Sequence, residues 1–129
     1  MLTYETHSDA SPEQVWELMA RPEHWHRWAR HLRPLRFGAG EVSSGEIGIV
    51  LVLGVPVVAR IGAVEPGVSW NWHTGIMRVD HRVDADGPGS RITISVHGAR
   101  PVLAGARTLY EPLLRRALER LARLAEPGT

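Results

Sequence analysis

The chain has 129 residues, a net charge of +1 from 15 basic and 14 acidic side chains, 43% hydrophobic residues and no cysteine. That length and balance describe one globular domain, residues 1–129, whose core needs no covalent staple. They give no electrostatic footprint for nucleic acid, and the lack of cysteine excludes disulfides, thiolate metal sites and a cysteine nucleophile. All 15 basic residues are arginines, so a Schiff-base lysine and the lysine of a phosphate loop are excluded as well. No basic region followed by an apolar run opens the sequence. The longest apolar stretch, residues 47–59, is broken by Gly48, Gly54 and Pro56 and is too short to span a bilayer. The expectation is a cytoplasmic domain without a membrane partner.

Leu2 to Thr6 alternates apolar and polar residues and predicts a short strand. Ser11-Pro12-Glu13-Gln14 reads as a helix start, with Ser11 as cap, Pro12 in the first turn and Gln14 completing a capping box. A second short helix begins at Pro22 and places Trp25 and Trp28 on one face. From residue 32 the pattern changes. Leu32–Phe37, Glu46–Leu53, Val57–Val64, Ser69–Thr74, Met77–Val83 and Arg91–His97 read as strands separated by Gly, Pro and Asp turns. Short connections make successive strands antiparallel neighbours. Residues 101–125 carry an amphipathic helix with Tyr110, Leu113, Leu114 and Leu118 on its apolar side; Pro112 within it demands a kink or a restart.

Strand parity selects the side chains that face inward. Met77, Val79, His81 and Val83 share one face, as do Trp70, Trp72 and Thr74, then Ile92, Ile94 and Val96, then Val57, Ala59, Ile61 and Ala63. If Gly75-Ile76 is a two-residue turn, Thr74 opposes Met77, Trp72 opposes Val79, and Trp70 opposes His81. An inward His81 beside an indole is a core side chain, a ligand contact or an acid/base group, held neutral by desolvation. Tyr110 needs a hydroxyl partner if buried, within the fold or on a ligand. His24, His26 and His31 invite a metal reading, but helical positions two apart diverge and no carboxylate pair completes a set. No metal and no cofactor are expected.

The order strand, two short helices, six strands, long helix resembles the helix-grip fold. The wording agrees in Ala10-Ser11-Pro12-Glu13-Gln14-Val15-Trp16, Arg21-Pro22-Glu23-His24-Trp25-His26-Arg27-Trp28, Val64-Glu65-Pro66-Gly67 with Trp70-Asn71-Trp72, His81, and Gly89-Ser90-Arg91-Ile92-Thr93. The chain is similar to the START-like (SRPBCC) superfamily, and to its bacterial polyketide cyclase/dehydrase group in particular. The resemblance implies an α+β domain in which a curved, seven-stranded antiparallel sheet wraps a long C-terminal helix, with a ligand cavity between them. It implies a small hydrophobic or aromatic, oxygenated metabolite as partner and a monomer or homodimer.

On that reading His81 and Tyr110 are the candidate catalytic pair, as acid/base and carbonyl donor. Trp70, Trp72, Met77, Val79, Ile61, Ile94 and Leu113 are the candidate ligand contacts. Two further uses of the same fold stay open: a carrier that holds the ligand without chemistry, and a filled partner-binding module. No Gly-x-Ser-x-Gly, His-Glu-x-x-His or phosphate loop points elsewhere.

Overall fold

The computed structural model describes residues 1–126. In chain order they form β1 (Leu2–Ser8), α1 (Pro12–Ala20), α2 (Pro22–Trp28), β2 (Leu32–Arg36), β3 (Ile47–Val52), β4 (Val55–Glu65), β5 (Ser69–Thr74), β6 (Met77–Asp86), β7 (Gly89–His97), α3 (Arg100–Leu109) and α4 (Glu111–Ala125). The strands make one antiparallel sheet in the order β1-β7-β6-β5-β4-β3-β2. Helix α4 lies against α1, α2 and β1, closing the concave face. This is the helix-grip architecture.

Local sequence explains the joints. Gln14 N donates to Ser11 Oγ at 3.3 Å and Ser11 N donates to Gln14 Oε1 at 2.9 Å, a complete capping box. At the other end of β1, Ser8 Oγ donates to the Ala122 carbonyl at 2.6 Å, and Ser90 Oγ donates to the Ala10 carbonyl at 2.7 Å. Both serines are buried, so these bonds fasten β1, β7, the entry to α1 and the end of α4 to one another.

The β5–β6 register is the one that parity requires: Thr74 opposes Met77, Trp72 opposes Val79 and Trp70 opposes His81. One expectation is corrected. In β4 the inward run ends at Ile61, because a bulge sets Gly62 and Ala63 against Asn71 alone. Ala63 is turned outward and exposed, and its N–H donates to Asn71 Oδ1 at 3.2 Å. Of the kink and the restart that Pro112 allowed, the structure has the restart, and the C-terminal amphipathic segment is two helices. Pro112 lacks the N–H that would continue a helix and is accommodated in the first turn of a new one, α4, with Tyr110 at the junction.

Gly48 of β3 is buried where Phe37 folds over it, and a Cβ there would stand 2.5 Å from the Arg36 carbonyl oxygen and 2.6 Å from the Phe37 ring. Backbone on one side and a packed ring on the other leave no room. Gly48→Ala is expected to lower unfolding free energy by roughly 1–3 kcal/mol, as overpacking does. Urea denaturation checks it; an unchanged midpoint would mean that the β2–β3 end yields freely.

Candidate functional site

The interior is organised around indoles. Trp25 on α2 stacks on Trp70 of β5, with ring centroids 5.3 Å apart and planes 9° from parallel. Trp70 stacks in turn on His81 of β6 at 3.9 Å and 11°. Trp72 stands edge-on to all three, at 5.1 Å from Trp25, 5.4 Å from Trp70 and 5.7 Å from His81. The hairpin register places Trp70 opposite His81, and α2 brings Trp25 against the far side of the same indole.

Beside this layer lies a cavity of about 80 Å³. Trp28, Trp72 and His81 form one part of its wall. Val52, Met77, Val79, Ile94 and Val96 of the sheet form another, and Ala106, Tyr110, Leu114 and Ala117 of α3 and α4 cover it. The lining is almost wholly apolar. Trp72 is its exception in an informative way: its indole N–H is buried and has no partner among the described residues, whereas those of Trp25 and Trp28 donate to the Met19 and Leu18 carbonyls at 3.0 and 2.9 Å. The Trp70 N–H is also buried without a partner among the described residues. An unspent buried donor costs on the order of 1–3 kcal/mol, so an acceptor brought to it is favoured.

His81 is buried, with Nδ1 3.3 Å from the Trp70 carbonyl. A carbonyl only accepts, so Nδ1 carries the proton and Nε2 is left as the basic nitrogen. Burial pushes the imidazole pKa down to about 4, outweighing the Trp70 hydrogen bond and the charge of Asp80, both of which raise it. The ring is neutral at physiological pH and a weak base. Tyr110, half-buried at the α3–α4 junction, has its phenol pKa raised by burial. It meets His31 edge-on, with centroids 6.0 Å apart. His31 lines the cavity too, and burial, then the charge of Arg120, lowers its pKa.

The cavity brings together His81, Tyr110, Trp72, Met77, Val79 and Ile94 of the residues singled out in the sequence. Three others are outside its wall. Trp70 stands behind His81 in the stack, Ile61 is fully buried core beside the β4 bulge, and Leu113 is half-buried on α4 while its neighbour Leu114 faces the cavity. His31, which the sequence singled out only for a metal reading, is a polar cavity residue that sequence reasoning did not place there. It sits in the irregular Ala29–His31 connection, where neither period applies, and only the closing of α2 onto β2 brings it inward. His97 is half-buried on the outer face, with Nε2 2.8 Å from Asp80 Oδ2.

An apolar cavity between a curved antiparallel sheet and a C-terminal helix defines a START-like protein. The family model described as polyketide cyclase / dehydrase and lipid transport matches residues 2–126, and the chain belongs to that family. Solved structures agree on the fold. The Bacillus halodurans protein BH1534 superposes with a TM-score of 0.75 at 16% identity, covering 96% of this chain and 95% of that one. The Mycobacterium smegmatis protein Ms6760 gives 0.76 at 12% identity, over 98% of this chain and 91% of that one. DynU16, from the dynemicin biosynthetic locus, gives 0.73 at 18% identity, over 99% of this chain and 48% of that longer one. Among curated proteins none matches at a significant level.

The depressed His81 pKa sets a pH dependence. The unfolded chain binds a proton near pH 6.5 that the folded protein refuses until about pH 4, so this contribution is complete above pH 6.5 and is lost as pH falls to about 4. The loss is expected to reach about 3 kcal/mol, at 1.4 kcal/mol per unit. His31 acts in the same direction. His81→Phe keeps a stacking ring and removes the titration, so denaturation between pH 7 and 4 should show a shallower slope in the variant. Equal slopes would refute the assignment.

Proposed function

We propose that the protein binds a small, mainly apolar molecule carrying one hydrogen-bond-accepting oxygen, a carbonyl in particular, in the cavity between sheet and α4. The observation that carries this reading is that Trp72, a residue of the otherwise apolar lining, has a buried indole N–H without a partner among the described residues. The Tyr110 hydroxyl is a second group able to hold an oxygenated ligand. Neutral His81 adds a polar ring without adding charge. A cavity of about 80 Å³ suits a fragment of a few heavy atoms, because pockets for larger ligands run to roughly 300–1,000 Å³. A bigger ligand would need α3, which buries only Ala106, to lift.

A second reading adds acid/base chemistry of the cyclisation or dehydration type, with Nε2 of His81 as the base. It is favoured by the place of His81 on the cavity wall and by the hydrogen bond that fixes its tautomer. Its low basicity sits far from the near-neutral value that serves a general base best. A linear poly-β-ketothioester mimic followed by absorbance tests it. No rate above background would remove catalysis, and the same rate with His81→Gln would remove His81 as the base.

The binding reading is tested with a matched pair of probes, cyclohexanone and methylenecyclohexane, which share a shape and differ in the oxygen. Trp72→Phe keeps an aromatic wall and removes the donor. Cyclohexanone affinity is expected to fall about five-fold to ten-fold, and methylenecyclohexane affinity to stay level, for a hydrogen bond of roughly 1–1.5 kcal/mol. Titration by NMR chemical shift reads both. Equal losses for the two probes, or no binding of either, would overturn the proposal.

A further inference from the structure

Four large apolar side chains stay exposed at one end of the molecule. Leu53 (62% exposed) is in the β3–β4 turn and Val55 (60%) opens β4 after it, Ile76 (76%) is in the β5–β6 turn and Leu109 (73%) ends α3. In an antiparallel sheet of this order the two turns lie at the same edge. Helix α3 begins there as well: a Cβ on Gly98 would stand 3.4 Å from the Ile76 carbonyl and 3.4 Å from Val102. Leu53 N donates to the His31 carbonyl at 2.9 Å, which ties the β3–β4 tip to the cavity wall. The exposed side chains therefore border the cavity where His31, Val52, Thr74, Met77 and Tyr110 line it.

Leu53 is held there at a cost. Its φ is +51°, a left-handed conformation that Asn, Asp and Gly adopt in two-residue turns and that leucine disfavours. A strained turn residue exposed to water gains nothing for the fold from being apolar.

Charge is distributed to match. Segments 29–34, 50–58, 73–79 and 98–110, which build this end, contain five arginines (Arg30, Arg33, Arg78, Arg100 and Arg107) and no aspartate or glutamate. The nearest carboxylates are engaged: Asp80 by Arg78 at 3.2 Å and His97 at 2.8 Å, and Glu111 by Arg115 at 3.5 Å. The opposite edge, with the β4–β5 and β6–β7 turns and the entry to α1, carries Glu65, Asp84, Asp86 and Asp9. A second copy of the chain meeting this rim would set arginine against arginine without a carboxylate between them.

We infer that this rim docks on an anionic lipid surface, with Leu53, Val55, Ile76 and Leu109 at the boundary of headgroups and acyl chains and the flanking arginines among the headgroups. The inference deepens the ligand-binding reading and rests on it: an apolar ligand could then pass between lipid and cavity without crossing water. Docking of this kind is peripheral. It is compatible with the finding that no helix among the described residues is long and apolar enough to cross a membrane. It revises the sequence expectation of no membrane partner from "none" to "none that is spanned".

Sedimentation of the full chain with vesicles of equal parts phosphatidylglycerol and phosphatidylcholine tests the inference. The protein should pellet with them, and about ten-fold or more weaker with pure phosphatidylcholine. The double variant Leu53→Asn/Ile76→Ser should lose the anionic-vesicle binding about ten-fold or more. Asparagine suits the left-handed turn, so its thermal melt should not fall, and a preserved melt separates lost docking from lost folding. A wild-type protein that stays in the supernatant, a folded double variant that pellets as well as wild type, or equal binding to both vesicle types would overturn the inference. So would concentration-dependent dimerisation that the double variant abolishes. Cyclohexanone titration without vesicles is read separately: docking without cyclohexanone binding would overturn the cavity reading alone, and cyclohexanone binding without docking the rim alone.

Discussion

Helix α1 ends in carbonyls that have no partner within the helix, and two of the three groups that satisfy them are side chains of α2. Trp28 donates to Leu18, Trp25 donates to Met19, and the Val42 backbone donates to Ala20. Each indole must then stand in one orientation. That orientation lays Trp25 flat on Trp70, and Trp70 flat on His81. Aromatic pairs in such geometry contribute roughly 0.5–1.5 kcal/mol each beyond their buried area. The main consequence is positional: the helical pair is keyed to the middle of the sheet through a single column of rings.

Where that column stands, the concave face has no room for a ligand. The cavity is confined to the space between the rings and the α3–α4 junction, which accounts for its small volume. The same column decides the chemistry. His81 is desolvated by the rings that hold it, so it stays neutral, and its Nδ1 proton is committed to the Trp70 carbonyl. Trp72, edge-on to the stack, is left with a buried donor that no group among the described residues meets. The polar resources of the cavity are thus few and mostly neutral.

The two ends of the sheet are built differently. At the far edge, buried Ser8 and Ser90 tie β1, β7, α1 and α4 together through backbone carbonyls. At the cavity edge, α3 is held by one buried alanine, and the turns carry apolar tips into solvent. Helices and loops with few buried contacts open at low free energy. The end that gives access to the cavity is therefore the end with least holding it shut.

The sequence by itself determined the order of elements, the pairing of Trp70 with His81 and the inward set Met77, Val79 and His81, because a period of two and a two-residue turn fix register through local geometry alone. Ser11 and Gln14 were legible for the same reason, since a capping box closes within one turn. Three matters belong to the tertiary structure. The bulge that turns Ala63 outward needs Asn71 from the neighbouring strand to satisfy the freed backbone N–H. The place of Trp25 on the Trp70 ring, which removes Trp70 from the cavity wall, follows from where α2 docks. His31 enters the site from an irregular connection with no period to read. Each depends on groups distant in sequence meeting across a packed interior, and no spacing along the chain encodes that encounter.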